Sequence, residues 1–103
     1  MKTVVITGSA RGFGYEMIKL FRKNNFNVVL CDISKNDLDI AETNLKGIKS
    51  NGNILSYVVD ITKEEDVSNM ISDVIKNNGT IDIWINNAGV NQPNKAIWEL
   101  DKA

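Results

Sequence analysis

With 103 residues, 43% of them hydrophobic, the chain has material for one globular domain with a core of its own. Its 12 basic and 13 acidic residues leave a net charge of −1 with no long block of like charge, which excludes a basic arm for nucleic acid or a patch for a membrane surface. With no histidine and one cysteine, Cys31, the chain also excludes an internal disulfide and the usual soft-ligand metal sites, structural zinc among them.

Thr3 to Thr7 reads TVVIT, β-branched throughout, and suits a strand buried on both faces. From about Gly12 the pattern turns helical, with Gly14, Met17, Ile18 and Phe21 on one stripe and Asn24-Asn25 as a stop. FNVVLCDI, residues 26–33, is a second short strand of the buried type, in which Cys31 reads as a small apolar side chain rather than a reactive thiol. Ser34-Lys35-Asn36-Asp37 has the form of a capping box, and Leu38, Ala41, Leu45 and Ile48 continue at helical spacing until Ser50-Asn51-Gly52. Residues 54–59 predict a third strand. Thr62-Lys63-Glu64-Glu65 is a second capping box, ahead of Val67, Met70, Ile71, Val74 and Ile75 on one face, with Gly79 as the stop. Residues 81–85 predict a fourth strand, followed by Asn86-Asn87-Ala88-Gly89 and a loop carrying Pro93, after which the start of another helix is compatible with the pattern. No apolar run approaches the ~18 residues of a membrane span, and Met1 lies two residues ahead of the first strand. The expected setting is soluble, reducing and cytoplasmic.

Strands alternating with helices predict an α/β fold with a parallel sheet and right-handed crossovers. Two crossovers running outward and a third returning past the first strand give the order 3-2-1-4, with the third helix on the face opposite the first two. This is a partial Rossmann fold over residues 1–103, with helices on both faces.

Gly8, Gly12 and Gly14 are spaced G-x-x-x-G-x-G, which matches neither G-x-G-x-x-G nor the phosphate loop G-x-x-x-x-G-K-[ST]. The spacing still allows a turn out of the strand, a close approach of backbone amides to a phosphate, and tight helix packing. A strand-to-helix connection with no ligand is the other use of such glycines. Asp32 ends the second strand about 20 residues after the glycines, where an acid can bond ribose hydroxyls. Asp60 and the Asn87-Ala88-Gly89 run fall at the matching ends of the third and fourth strands, so four loops converge on one rim.

Thr7-Gly8-Ser9-Ala10-Arg11-Gly12-Phe13-Gly14 resembles the TGxxxGxG signature of the short-chain dehydrogenases/reductases. Asp60-Ile61-Thr62 is similar to their acidic turn after strand three, and Asn86-Asn87-Ala88-Gly89 to their NNAG motif. Phe13 stands where isoleucine or leucine is more usual. The resemblance implies a nicotinamide dinucleotide on the rim, with Gly8, Ser9, Arg11, Gly12, Phe13 and Gly14 around the pyrophosphate. It also implies Asp32 at the adenosine ribose, Asp60 and Ile61 at the adenine, and Asn87, Ala88 and Gly89 beside the riboses, with Ile33 a further residue of the cofactor site. NAD is expected over NADP, since a 2′-phosphate near Asp32 meets like charge; Arg11 argues the other way.

The family's catalytic serine and Tyr-x-x-x-Lys follow a fifth strand that this sequence does not reach, so no catalytic residue is assigned. Tyr15 and Lys19 have the Tyr-x-x-x-Lys spacing, but the helix pattern turns them to the flank, and they read as a chance match on a solvated face. The expectation is therefore a nicotinamide-dependent oxidoreductase represented by its cofactor-binding half, with a non-catalytic dinucleotide-binding module as the alternative. Residues 81–86 would form an exposed sheet edge, for which homo-oligomerisation, element swapping or a longer polypeptide is expected.

Overall fold

The computed structural model describes residues 1–88. Seven elements follow in the predicted order: β1 (Thr3–Thr7), α1 (Gly12–Lys23), β2 (Asn27–Asp32), α2 (Lys35–Lys46), β3 (Ile54–Val58), α3 (Glu64–Asn78) and β4 (Ile83–Ile85). All strand pairs are parallel, and the sheet order is β3-β2-β1-β4, as the crossover argument predicts. Register runs Val4 to Val28 and Ile83, and Val28 to Ile54. Gly89, the Pro93 loop and the further helix start lie outside the described residues. Among the described residues no helix is long and apolar enough to cross a membrane.

The period-2 alternation of the strands divides the core into two layers. Val4, Ile6, Val28 and Leu30 face α1 and α2, where Ile18, Leu38, Ala41 and Leu45 close over them. Val5, Val29 and Cys31 face the other way, against Met70 and Val74 of α3. Each fully buried aliphatic side chain of this kind contributes about 1.5–3 kcal/mol. The continuous apolar runs of β1 and β2 thus follow from helices covering both faces of the central strands.

Differences from the sequence reading have identifiable causes. β2 starts one residue later and ends one earlier than the apolar run, β3 stops at Val58, and β4 holds only Ile83 to Ile85 because Asp82 turns its side chain onto β1. There the Asp82 Oδ2 accepts the Thr3 N–H at 2.8 Å, while the Asp82 N–H donates to the Thr3 carbonyl. Ile71 and Ile75 do not join the core face of α3; they are 36% and 42% exposed, because the sheet covers only the row through Met70 and Val74. The α3 capping box does not form: Lys63 is the N-cap and gives no side-chain bond, since Thr62 is engaged with Asp60. At α2 only the forward half of the box exists, Ser34 Oγ accepting the Asp37 N–H at 3.2 Å.

Arg22 is the residue of α1 that the apolar stripe does not foresee. It is 7% exposed, and its guanidinium donates to the Leu45 carbonyl at 2.8 Å and the Gly52 carbonyl at 3.0 Å. One charged side chain thereby satisfies the end of α2 and the turn before β3, at the sheet end remote from the glycine cluster.

Candidate functional site

At the carboxyl ends of the strands, the loops after β1, β2, β3 and β4 enclose a cleft of about 670 Å³. That volume lies within the range of small-molecule sites, and the position is the crevice where strand order reverses. The cleft wall brings together Gly8, Arg11, Gly12 and Phe13 from the first loop with Asp32 and Ile33 from the second. Asp60 and Ile61 line it from the third, and Asn87 and Ala88 from the fourth. Val59 and Thr62 also line it and were not foreseen. Val59 is 4% exposed and continues the apolar floor of β3; the sequence pattern places it at the end of the third strand but not in the site.

Two predicted residues within the described chain do not line the cleft. Ser9 is fully buried: its hydroxyl accepts the Cys31 N–H at 3.2 Å while its own N–H donates to the Cys31 carbonyl. It extends the β1–β2 ladder past Thr7. Gly14 lies behind the wall, where an added Cβ would come within 2.6 Å of both the Gly8 carbonyl oxygen and Asn87 Nδ2. Its role is close packing of α1 against the loops.

Gly12 differs from Gly14. Its φ is +66°, and a Cβ there would meet nothing within 4 Å, so the conformation rather than a crowded neighbour requires glycine. Arg11, the N-cap of α1, is extended and forms no side-chain cap, and the first turn of α1 contains no acid. Its first amides and the positive end of the helix dipole therefore lie beside the cleft without a protein carboxylate or hydroxyl taking them, an arrangement that suits an anion.

The rim is held by short polar ties. Thr7 Oγ1 accepts the N–H groups of both Asn87 (2.9 Å) and Ala88 (3.0 Å), and the Asn87 side-chain amide donates to the Gly8 carbonyl at 3.1 Å. The loop after β4 is thus fastened to the turn after β1. Asp32 Oδ2 accepts the Ala10 N–H at 3.2 Å, and Oδ1 accepts the Ile33 N–H at 2.8 Å. Asp60 Oδ1 accepts from the Thr62 hydroxyl at 2.6 Å and the Thr62 N–H at 3.0 Å. These bonds, the hydroxyl first, hold the Asp60 carboxyl below its ordinary value, so it is ionised at neutral pH. Arg11 supplies the opposite charge, with Nε 3.6 Å from Asp37 Oδ2 in the first turn of α2.

Tyr15 and Lys19 lie outside this cleft. Tyr15 is half-buried against the α1 side of the core rather than solvated, and the Lys19 ammonium sits 5.4 Å from its ring centroid and 3.0 Å from Glu16. Burial raises the Tyr15 pKa, outweighing the lowering by Lys19, while Glu16 raises it further. A tyrosine so placed is a poor proton carrier at neutral pH.

The sequence profile of the family described as short chain dehydrogenase matches residues 2–103. The chain belongs to that family. Among curated relatives, chlorophyll(ide) b reductase NOL from rice (Oryza sativa subsp. japonica), named as chloroplastic, is 39% identical over 88 residues, covering 85% of this chain and 26% of that protein. Among solved structures, L-sorbose reductase from Gluconobacter frateurii, complexed with NADPH and L-sorbose, aligns with a TM-score of 0.81 and 34% identity over 95% of this chain and 36% of its own. NAD+-bound xylitol dehydrogenase aligns with a TM-score of 0.76 and 29% identity over 85% of this chain and 33% of its own. The chain spans between 23% and 36% of the length of the curated short chain dehydrogenases and relatives it matches.

Proposed function

We propose that this chain is the cofactor-binding part of a nicotinamide-dependent oxidoreductase that moves a hydride between a nicotinamide and a carbonyl or alcohol. The observation that carries the proposal is the uncapped N-terminus of α1 under Gly12, with open space above it, in a cleft that also holds Asp32. Those residues fit the group: backbone amides for a pyrophosphate, an acid at the end of β2 for ribose hydroxyls, and the floor of Val59 and Ile61 with Asp60 for a base. When bound, the cofactor supplies the hydride donor or acceptor; the protein residues named here bind and orient. Solved relatives carry NADPH in one case and NAD+ in another, which supports a nicotinamide dinucleotide as such.

NAD is the form we propose. Asp32 lines the cleft beside Ile33, and a 2′-phosphate near its carboxylate would meet like charge. Titration with NADH or NADPH, read by nicotinamide fluorescence or by amide chemical shifts, tests both statements. Asp32→Ala should weaken NADH more than NADPH. An equal loss for both would remove the case for NAD, and absence of any saturable change up to millimolar cofactor would remove binding by this chain. A non-catalytic dinucleotide-binding module is the second reading. A reading frame continuing past Ala103 into a serine and a Tyr-x-x-x-Lys would decide for the enzyme. We also propose the cytoplasm as its setting, supported by the free buried thiol of Cys31, although three of the relatives are named as chloroplastic proteins, one of rice and two of Arabidopsis thaliana.

A further inference from the structure

We infer that Asp37 is a positioning residue that biases the cleft against a 2′-phosphorylated adenosine by holding Arg11. The inference rests on the reading of the cleft as a dinucleotide site. Arg11 is the cation among the residues lining the cleft, and it follows Ala10, whose N–H is held by Asp32, the acid placed for ribose hydroxyls. A guanidinium there is the group that would accommodate a 2′-phosphate, offsetting the repulsion from Asp32. Its Nε is instead 3.6 Å from the carboxylate of Asp37, which is the more buried of the pair: the Arg11 side chain is 83% exposed and the Asp37 side chain 29%.

The position of Asp37 follows from the half-formed capping box. In a complete box the side chain at this position would return to the Ser34 N–H. That N–H is directed at Asp32 Oδ1, at 3.5 Å, so the Asp37 carboxylate is released toward the first loop. Asp32 and Asp60 on the cleft wall, with Asp37 beside Arg11, then set three negative charges against one positive charge, Arg11. Neutralising Asp37 leaves Asp32 and Asp60 against Arg11 and frees a side chain long enough to reposition. Lys35 does not substitute as its partner, being bonded to Asp39 one turn along α2.

The test uses the 103-residue chain, 15N-labelled, titrated with 5′-AMP and with adenosine 2′,5′-bisphosphate and followed by amide chemical shifts. The two probes differ only by the 2′-phosphate and need no wall for the nicotinamide. Asp37→Asn should improve the affinity for the bisphosphate relative to 5′-AMP by about threefold to fivefold, the scale of an exposed ion pair. Asp37→Glu should restore the wild-type ratio, and Arg11→Ala added to Asp37→Asn should cancel the gain. A change by the same factor for both probes would reduce Asp37 to a structural role, and a gain that survives Arg11→Ala would equally overturn the inference. No saturable shift with either probe in any variant would instead remove the dinucleotide reading itself, and the inference with it.

Discussion

Thr7 carries a prediction that can be worked from single bonds. Its hydroxyl accepts two backbone N–H groups, from Asn87 and Ala88, and the residue is 1% exposed. Thr7→Val keeps the shape and the packed methyl but leaves both part-buried donors without that acceptor. Each such loss costs about 1–3 kcal/mol, and because the two donors are only partly buried a total of about 2–4 kcal/mol is expected. Thr7→Ser keeps the hydroxyl and gives up one buried methyl, about 1 kcal/mol. Urea unfolding followed by far-UV circular dichroism measures both. With a slope of about 1.5 kcal/mol per molar urea for a chain of this size, the Val variant should lose roughly 1–3 M in its midpoint. The Ser variant should lose less than 1 M on the same scale. Against a total stability of about 5–15 kcal/mol, a loss of this size is a large fraction. A Val midpoint within about 0.3 M of wild type, or a Ser variant at least as damaged as Val, would refute the assignment of Thr7 as the fastener of the β4 loop.

Cys31 and the sheet edge give two further predictions. Burial, with Asp32 adding to it, pushes the Cys31 thiol from 9.0 up to about 12, so the folded state keeps a proton that the unfolded chain releases. Stability from this source is complete below pH 9.0 and is lost progressively as pH rises toward about 12. Denaturation midpoints should accordingly fall above pH 9, and Cys31→Ala should flatten that slope; an unchanged slope in the variant would assign the alkaline sensitivity elsewhere. The other prediction is that β4, last in the sheet with Ile83, Trp84 and Ile85 half-buried, pairs with a second copy or with a further segment. Sedimentation showing a monomer at micromolar concentration, together with no binding of a surface-sensitive dye, would count against edge pairing.

Strand order and layer assignment could be read from the sequence because both follow from a repeated local pattern. β-branched runs bounded by turns mark the strands, and crossover handedness fixes the rest. The convergence of Gly8, Gly12, Asp32, Asp60 and Asn87 on one cleft was legible for the same reason, since parallel topology brings all strand ends to one rim. Pairwise competition was not legible. The sequence shows two capping boxes, but at α3 Thr62 bonds Asp60 of its own turn and at α2 Asp37 meets Arg11 of the first loop. Arg22 escaped for a related reason. A charged residue on a helix is normally placed outside, and only the three-dimensional meeting of the Leu45 and Gly52 carbonyls gives it partners inside. Ile71 and Ile75 were placed inside because periodicity counts apolar residues without knowing how wide a surface faces them.

Both oxygens of Asp32 are already employed, one on the Ala10 amide of the glycine loop and one on the Ile33 amide of its own turn. A single carboxylate therefore joins recognition to construction. Exchanging it to alter cofactor preference would also slacken the loop proposed here to receive the phosphates, so selectivity and foldability would be inherited together at this position. Asp37, which braces no backbone amide with its carboxylate, is the more separable place for a lineage or an engineer to shift that preference.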